Sequence, residues 1–140
     1  MLVATELMRR GIDVAYPESD YGIDIIAFRR NHDGNLANQF VPIQVKARSH
    51  SGYSFQKSWF GKAVNLVLVQ VWWISENPEF YIFSNLSQVE DALGDHAHSP
   101  SWTKKGGYSV TEATKRHDTR MNRHRDKWER IIDQLPPPIG

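Results

Sequence analysis

The sequence predicts an α/β (α+β) domain of three layers, a central mixed β-sheet flanked by helices. Three observations carry that expectation. The apolar periodicity switches in the order helix, strand, strand, strand, helix, strand, strand, helix, helix. Residues 65–74 read Asn-Leu-Val-Leu-Val-Gln-Val-Trp-Trp-Ile, a nearly continuous β-branched and aromatic run that fits a strand covered on both faces. Asp33-Gly34 stands between two apolar strands and signals a hairpin.

In order along the chain, residues 3–10 place Val3, Leu7 and Met8 at helical spacing, with Gly11 as the stop. Residues 12–16 alternate apolar and polar as a short strand does. Pro17, Glu18, Ser19 and Asp20 make a turn into a strand over 22–30, which the hairpin returns as a strand over 40–48. A Ser/Gly loop over 49–54 leads to a short helix over 56–63, then to the central strand over 65–74. Asn77-Pro78 turns the chain into a strand over 80–83. A helix over 86–93 is closed by Gly94, with Ser87 at its start, and 95–107 reads as a long loop. A last helix over 120–135 presents Trp128, Ile131, Ile132 and Leu135 as a stripe and ends at Pro136-Pro137-Pro138. The chain divides into one domain over 1–135 and a Pro-rich tail over 136–140.

Composition narrows the function classes. With no cysteine there is neither a disulfide framework nor a thiolate nucleophile or metal ligand. The longest apolar stretch is far too short to cross a membrane, and the N-terminus lacks a signal-peptide pattern, which places the chain in the cytoplasm. The net charge of +1 hides an asymmetry: residues 104–130 hold nine Lys or Arg against four acids. That local excess suits a polyanion, although a solvated helix face reads the same way. No P-loop and no Gly-x-Ser-x-Gly elbow is present, and His96 and His98 lack a third clear ligand.

The chemistry concentrates in the predicted hairpin. Asp24 interrupts the apolar run Gly22-Ile23-Asp24-Ile25-Ile26-Ala27-Phe28, and a carboxylate there is costly to bury without compensation. On the returning strand Gln44 and Lys46 lie two apart and project from one face. Pairing the strands brings a carboxylate, an amide oxygen and an ammonium together, with Glu6 supplied by the first helix. Oxygen donors of this kind suit a hard cation such as Mg²⁺, beside which Lys46 can assist an attacking water or neutralise developing charge. The plainer alternative is a cross-strand ion pair between Asp24 and Lys46 on a wet face.

Glu6 in Ala4-Thr5-Glu6-Leu7, the segment Ser19-Asp20-Tyr21-Gly22-Ile23-Asp24-Ile25-Ile26-Ala27, and Ile43-Gln44-Val45-Lys46-Ala47 together resemble the core of the PD-(D/E)xK nuclease superfamily. The flavour is that of Mrr-like restriction endonucleases and Holliday-junction resolvases, with Gln44 where the superfamily usually carries an acid. The resemblance implies a restriction-endonuclease-like fold and Mg²⁺- or Mn²⁺-dependent cleavage of phosphodiester bonds, most simply in DNA. It implies Asp24 and Gln44 as metal ligands together with the carbonyl of Val45, Lys46 as the catalytic lysine, and Glu6 on a second ion. By analogy it also implies a homodimer. A binding module on the same fold, weakened as an enzyme by Gln44, is the rival reading. Phosphate contacts are expected from Lys57, Lys62, Lys104, Lys105, Arg120, Arg123 and Lys127. Trp59 and Trp102 are expected as base or backbone contacts, and Trp72, Trp73 and Trp128 as core.

Overall fold

The structure is a computed structural model and describes residues 2–19, 21–30, 33 and 36–137. Its helices and strands, in chain order, are α1 (Leu2–Arg9), β1 (Asp13–Ala15), β2 (Ile25–Arg30), β3 (Leu36–Ala47) and β4 (Tyr53–Gln56). A 3₁₀ turn over Lys57–Gly61 precedes β5 (Val67–Trp72), β6 (Glu79–Phe83) and α2 (Leu86–Leu93). A second 3₁₀ turn over Gly94–His98 leads to α3 (Pro100–Thr103), β7 (Gly107–Val110), α4 (Lys115–Asn122) and α5 (Glu129–Ile132). Five strands form the central sheet in the order β1-β2-β3-β5-β6, and β4 with β7 forms a small second sheet. Among the described residues only the β3–β5 pairing in the large sheet is parallel, so the expected mixed sheet flanked by helices is what the chain builds.

Strand alternation sorts the core into two halves. Ile25 and Ala27, Val41 and Ile43, the odd positions of β5, and Phe80 with Ile82 face α1 and α5, where Val3, Leu7, Trp128 and Ile131 cover them. Leu68, Trp72, Tyr81 and Phe83 face the other way, under Tyr53 and Phe55 of the small sheet and the buried sides of α2, α3 and α4. Every residue of β5 is buried, which explains its nearly continuous apolar run; the one polar member, Gln70, donates to Ser54 O at 2.7 Å. The β2–β3 pairing is antiparallel as the hairpin signal requires. Gly34 of that turn lies outside the described residues.

Two consequences of this wiring escape the sequence pattern. Parallel β3 and β5 cannot be joined by a tight turn, so residues 48–66 cross over one face of the sheet. That crossover contains β4, where the sequence predicts loop and helix; it pairs with β7, whose first residue, Gly107, ends the expected long loop and whose other residues the pattern leaves unassigned. Both are short alternating segments, Tyr-Ser-Phe-Gln and Gly-Tyr-Ser-Val. The single helix expected over 120–135 is instead α4 and α5. Between them the backbone bonds the open edge of β6: Ile82 N–H donates to His124 O at 2.9 Å and Asp126 N–H to Phe80 O at 2.9 Å. Satisfying the sheet edge outweighs continuing the helix, and Asp126 takes a left-handed φ of 54° to make the turn. At α2 the cap is Asn85, whose side chain accepts from Gln88 N–H at 2.9 Å, rather than Ser87.

Candidate active site

Gly22, at a φ of +85°, turns the chain into the start of β2. The regular ladder begins at Ile25 opposite Ile43, and one residue earlier Asp24 N–H donates to Ile43 O at 2.8 Å. Continuing that register sets Asp24 across from Gln44. There the two strands part. Val45 N–H, which would otherwise want a carbonyl from β2, donates to Asp24 Oδ2 at 2.7 Å. The carboxylate thus serves as the acceptor the diverging strand no longer offers. Alternation puts Asp24, Gln44 and Lys46 on one face, opposite the face covered by α1.

Gln44 is 2 % exposed, and among the described residues its Oε1 has no hydrogen-bond partner. An orphaned buried acceptor costs about 1–3 kcal/mol, so the site holds an amide oxygen that wants a donor or a cation. Lys46 is half-buried with Nζ 4.8 Å from the centroid of the Trp59 ring, a cation–π contact made by the 3₁₀ turn of the crossover. Among the described residues no ion pair joins Asp24 to Lys46, so the plain cross-strand pair is not formed. Lys62 comes from the end of the same crossover. Its ammonium packs so closely on Gly22 that a Cβ there would fall on Nζ, which places a second cation two residues from Asp24.

Glu6 is ion-paired at the end of its own helix. It stands on α1, and its carboxylate accepts from Arg10 Nη1 at 2.6 Å and Arg9 Nη1 at 3.2 Å. Among the described residues no three His, Asp or Glu side chains gather where they would hold a metal. What the site does offer is one carboxylate beside an unpartnered amide oxygen. An all-oxygen set of this kind fits a hard divalent cation that completes its shell with water and phosphate oxygens.

The expected phosphate contacts divide into two groups. Lys57 packs against Gly106, with its backbone N–H on Gly106 O at 2.8 Å and its Nζ over Trp102, and so sits beside the exposed Lys104 and Lys105. With Lys62 and Lys46 these lysines belong to the crossover face or its border. Arg120 and Arg123 are otherwise engaged. Arg120 is nearly buried, donates to Leu93 O at 3.1 Å and lies 3.8 Å from Asp95. Arg123 pairs with Asp91 at 3.1 Å and caps the Asp91 carbonyl. Lys127 is half-buried in the α4–α5 turn. Trp102, expected as a base contact, is fully buried and donates Nε1–H to Glu90 at 3.1 Å, so it belongs to the core.

No family model and no curated protein matches the chain. Among solved structures the chain is similar to Hjc, a Holliday junction resolvase from the archaeal hyperthermophile Archaeoglobus fulgidus. The two are 16 % identical, with a TM-score of 0.43 over 61 % of this chain and 74 % of that one. The likeness is one of fold alone. Among the described residues no helix is long and apolar enough to cross a membrane.

Proposed function

We propose that the chain is a divalent-metal-dependent nuclease of the PD-(D/E)xK kind, hydrolysing phosphodiester bonds of nucleic acid, DNA in the first instance. The observation that carries this reading is the register that sets Asp24 across from Gln44, whose buried oxygen has no partner among the described residues, on the face that bears Lys46. Asp24 and Gln44, with the Val45 carbonyl, would hold Mg²⁺ or Mn²⁺. Such an ion, when bound, supplies charge stabilisation at the phosphate. The chain's own contributions follow from its residues. The Val45 N–H fixes the orientation of the Asp24 carboxylate. Lys46 neutralises charge developing on the phosphate, or takes part in removing the proton of the attacking water. Lys62 adds a second cation, and Lys57, Lys104 and Lys105 grip neighbouring phosphates without reading sequence. Glu6 joins the site only if Arg9 and Arg10 release it. Cutting both strands of a duplex would need two such sites, so a homodimer acting in the cytoplasm belongs to the same proposal.

The test is nicking of supercoiled plasmid and of branched DNA in Mg²⁺ and Mn²⁺. Lys46→Ala and Asp24→Asn are both expected to lower the rate by about 100-fold or more, with metal-free DNA affinity changed by less than about tenfold. Asn at position 24 retains an oxygen for Val45 N–H, so the loss reports chemistry rather than unfolding. A second reading, a nucleic-acid-binding module without catalysis, is favoured by the ion-paired state of Glu6 and the neutral Gln44. Binding by wild type with no cutting in either metal would establish it instead.

A further inference from the structure

The face that carries Lys46 also bears a cleft which cleavage does not use, the two separated by the buried Gln70, which donates to Ser54 O of the crossover at 2.7 Å. Lys46 pairs with Gln70 of β5, and Gln70 with Tyr81 of β6; two residues along β5, Trp72 pairs with Glu79. Trp72, Glu79 and Tyr81 thus share one face and, with Trp73, Asn122 and Arg125, line a cleft of about 350 Å³. One strand spacing and a two-residue step set Trp72 roughly 8 Å from Lys46 along the sheet.

The lining is part aromatic and part hydrogen-bonding. Trp72 and Tyr81 pack with ring centroids 4.6 Å apart. Trp72 is 2 % exposed, and its indole N–H has no partner among the described residues. Trp73 is held at a φ of 58°, a left-handed conformation that a bulky L-residue adopts only under constraint. Glu79 accepts from the Tyr81 hydroxyl at 3.4 Å and lies 3.8 Å from Arg125. Burial, and the Glu79 carboxylate next to it, raise the pKa of the Tyr81 hydroxyl, so it stays a donor.

This mixture selects an occupant. Glu79 and Asp118 outnumber Arg125 at the cleft, which disfavours a phosphate inside it. A neutral planar ring suits it: its face meets the half-exposed Trp73 indole, its N–H groups meet carboxylates, and its carbonyl or ring-nitrogen acceptors meet Arg125 and Asn122. We propose that the cleft takes one unpaired nucleobase of a nucleic-acid strand whose phosphates lie on Lys46 and Lys62. The proposal rests on the nucleic-acid part of the function proposed above, not on its chemistry. It narrows the substrate to strands with an unpaired or extruded base next to the bound phosphate, because a stacked and paired base cannot enter.

The experiment is metal-free equilibrium binding of a labelled single-stranded oligodeoxynucleotide, beside an abasic strand of the same length and charge. Wild type is expected to hold the normal strand about tenfold more tightly than the abasic one. Trp73→Ala should erase that difference while leaving abasic binding unchanged, and Trp73→Phe should keep most of it. Equal affinity of wild type for the two strands overturns the proposal without any variant, as does a Trp73→Ala loss shared equally by both. Base-dependent binding with no cleavage in any metal sinks only the nuclease reading. Cleavage with no base dependence sinks only the cleft, and a chain that binds neither strand sinks both.

Discussion

Gln44 is where the residue scale is most informative. Its sequence position marked it as a ligand candidate, but only the structure shows that its amide oxygen is buried and, among the described residues, unpartnered. Such an atom is a liability in the empty fold and an asset once a cation arrives. Gln44→Met keeps the volume and removes the orphan. It should therefore raise stability by about 1 kcal/mol, or Tm by about 3 °C, and abolish any rise in Tm on Mn²⁺ titration. Wild type, saturated with ion a hundredfold above its Kd, should gain about 2.7 kcal/mol. A Gln44→Met variant that is still stabilised by Mn²⁺ would remove this residue from the metal site. That Asp24 and Lys46 share a face was legible for a simple reason: a charge in an apolar strand, and a two-residue spacing, are local signals. Trp102 was misread because a tryptophan beside Lys104 looks like a contact until its burial and its bond to Glu90 are known.

At the scale of elements, strands with strong periodicity were readable and partners were not. β5 and α2 fall where the pattern put them, since burial on two faces and an amphipathic turn both write themselves into adjacent residues. β4 and β7 are four residues each and gain their stability from one another across more than fifty positions, which no local window records. The division between α4 and α5 has the same origin: the hydrogen bonds that break the helix lie on β6. Asp126 carries the cost of that turn. Asp126→Gly removes the left-handed penalty and should raise stability by up to about 1 kcal/mol, whereas Asp126→Val should lower it by about 1–2 kcal/mol. Chemical denaturation of the two variants checks the sign, and equal stabilities would show that the turn is unstrained.

For the whole molecule, a buried histidine ties four elements together. His124 follows α4 and receives Arg130 Nη1–H of α5 on Nδ1 at 2.8 Å, while its Nε2–H donates to Asp91 of α2 at 2.7 Å; Arg130 also donates to Ile82 O of β6 at 2.7 Å. Burial above all, together with the Arg130 charge, lowers the His124 pKa despite Asp91, and burial lowers His117 as well. A histidine whose folded pKa is depressed stabilises fully above its unfolded value near 6.5. That contribution is lost as pH falls, by at most about 1.4 kcal/mol per unit for each ring. Tm should accordingly decline from pH 7 toward pH 5, and His124→Gln should flatten the slope; an unchanged slope would separate the network from acid sensitivity. The crossover over residues 48–66 has the widest reach. The chain had to travel from β3 to β5 in any case, and the route it takes delivers Trp59 and Lys62 beside Asp24 and Lys46. Topology and the proposed substrate handling therefore occupy the same stretch, so that exchanging residues 57–62 alone, beyond the buried Tyr53 and Phe55, would retune reach and grip while the scaffold beneath stays as it is.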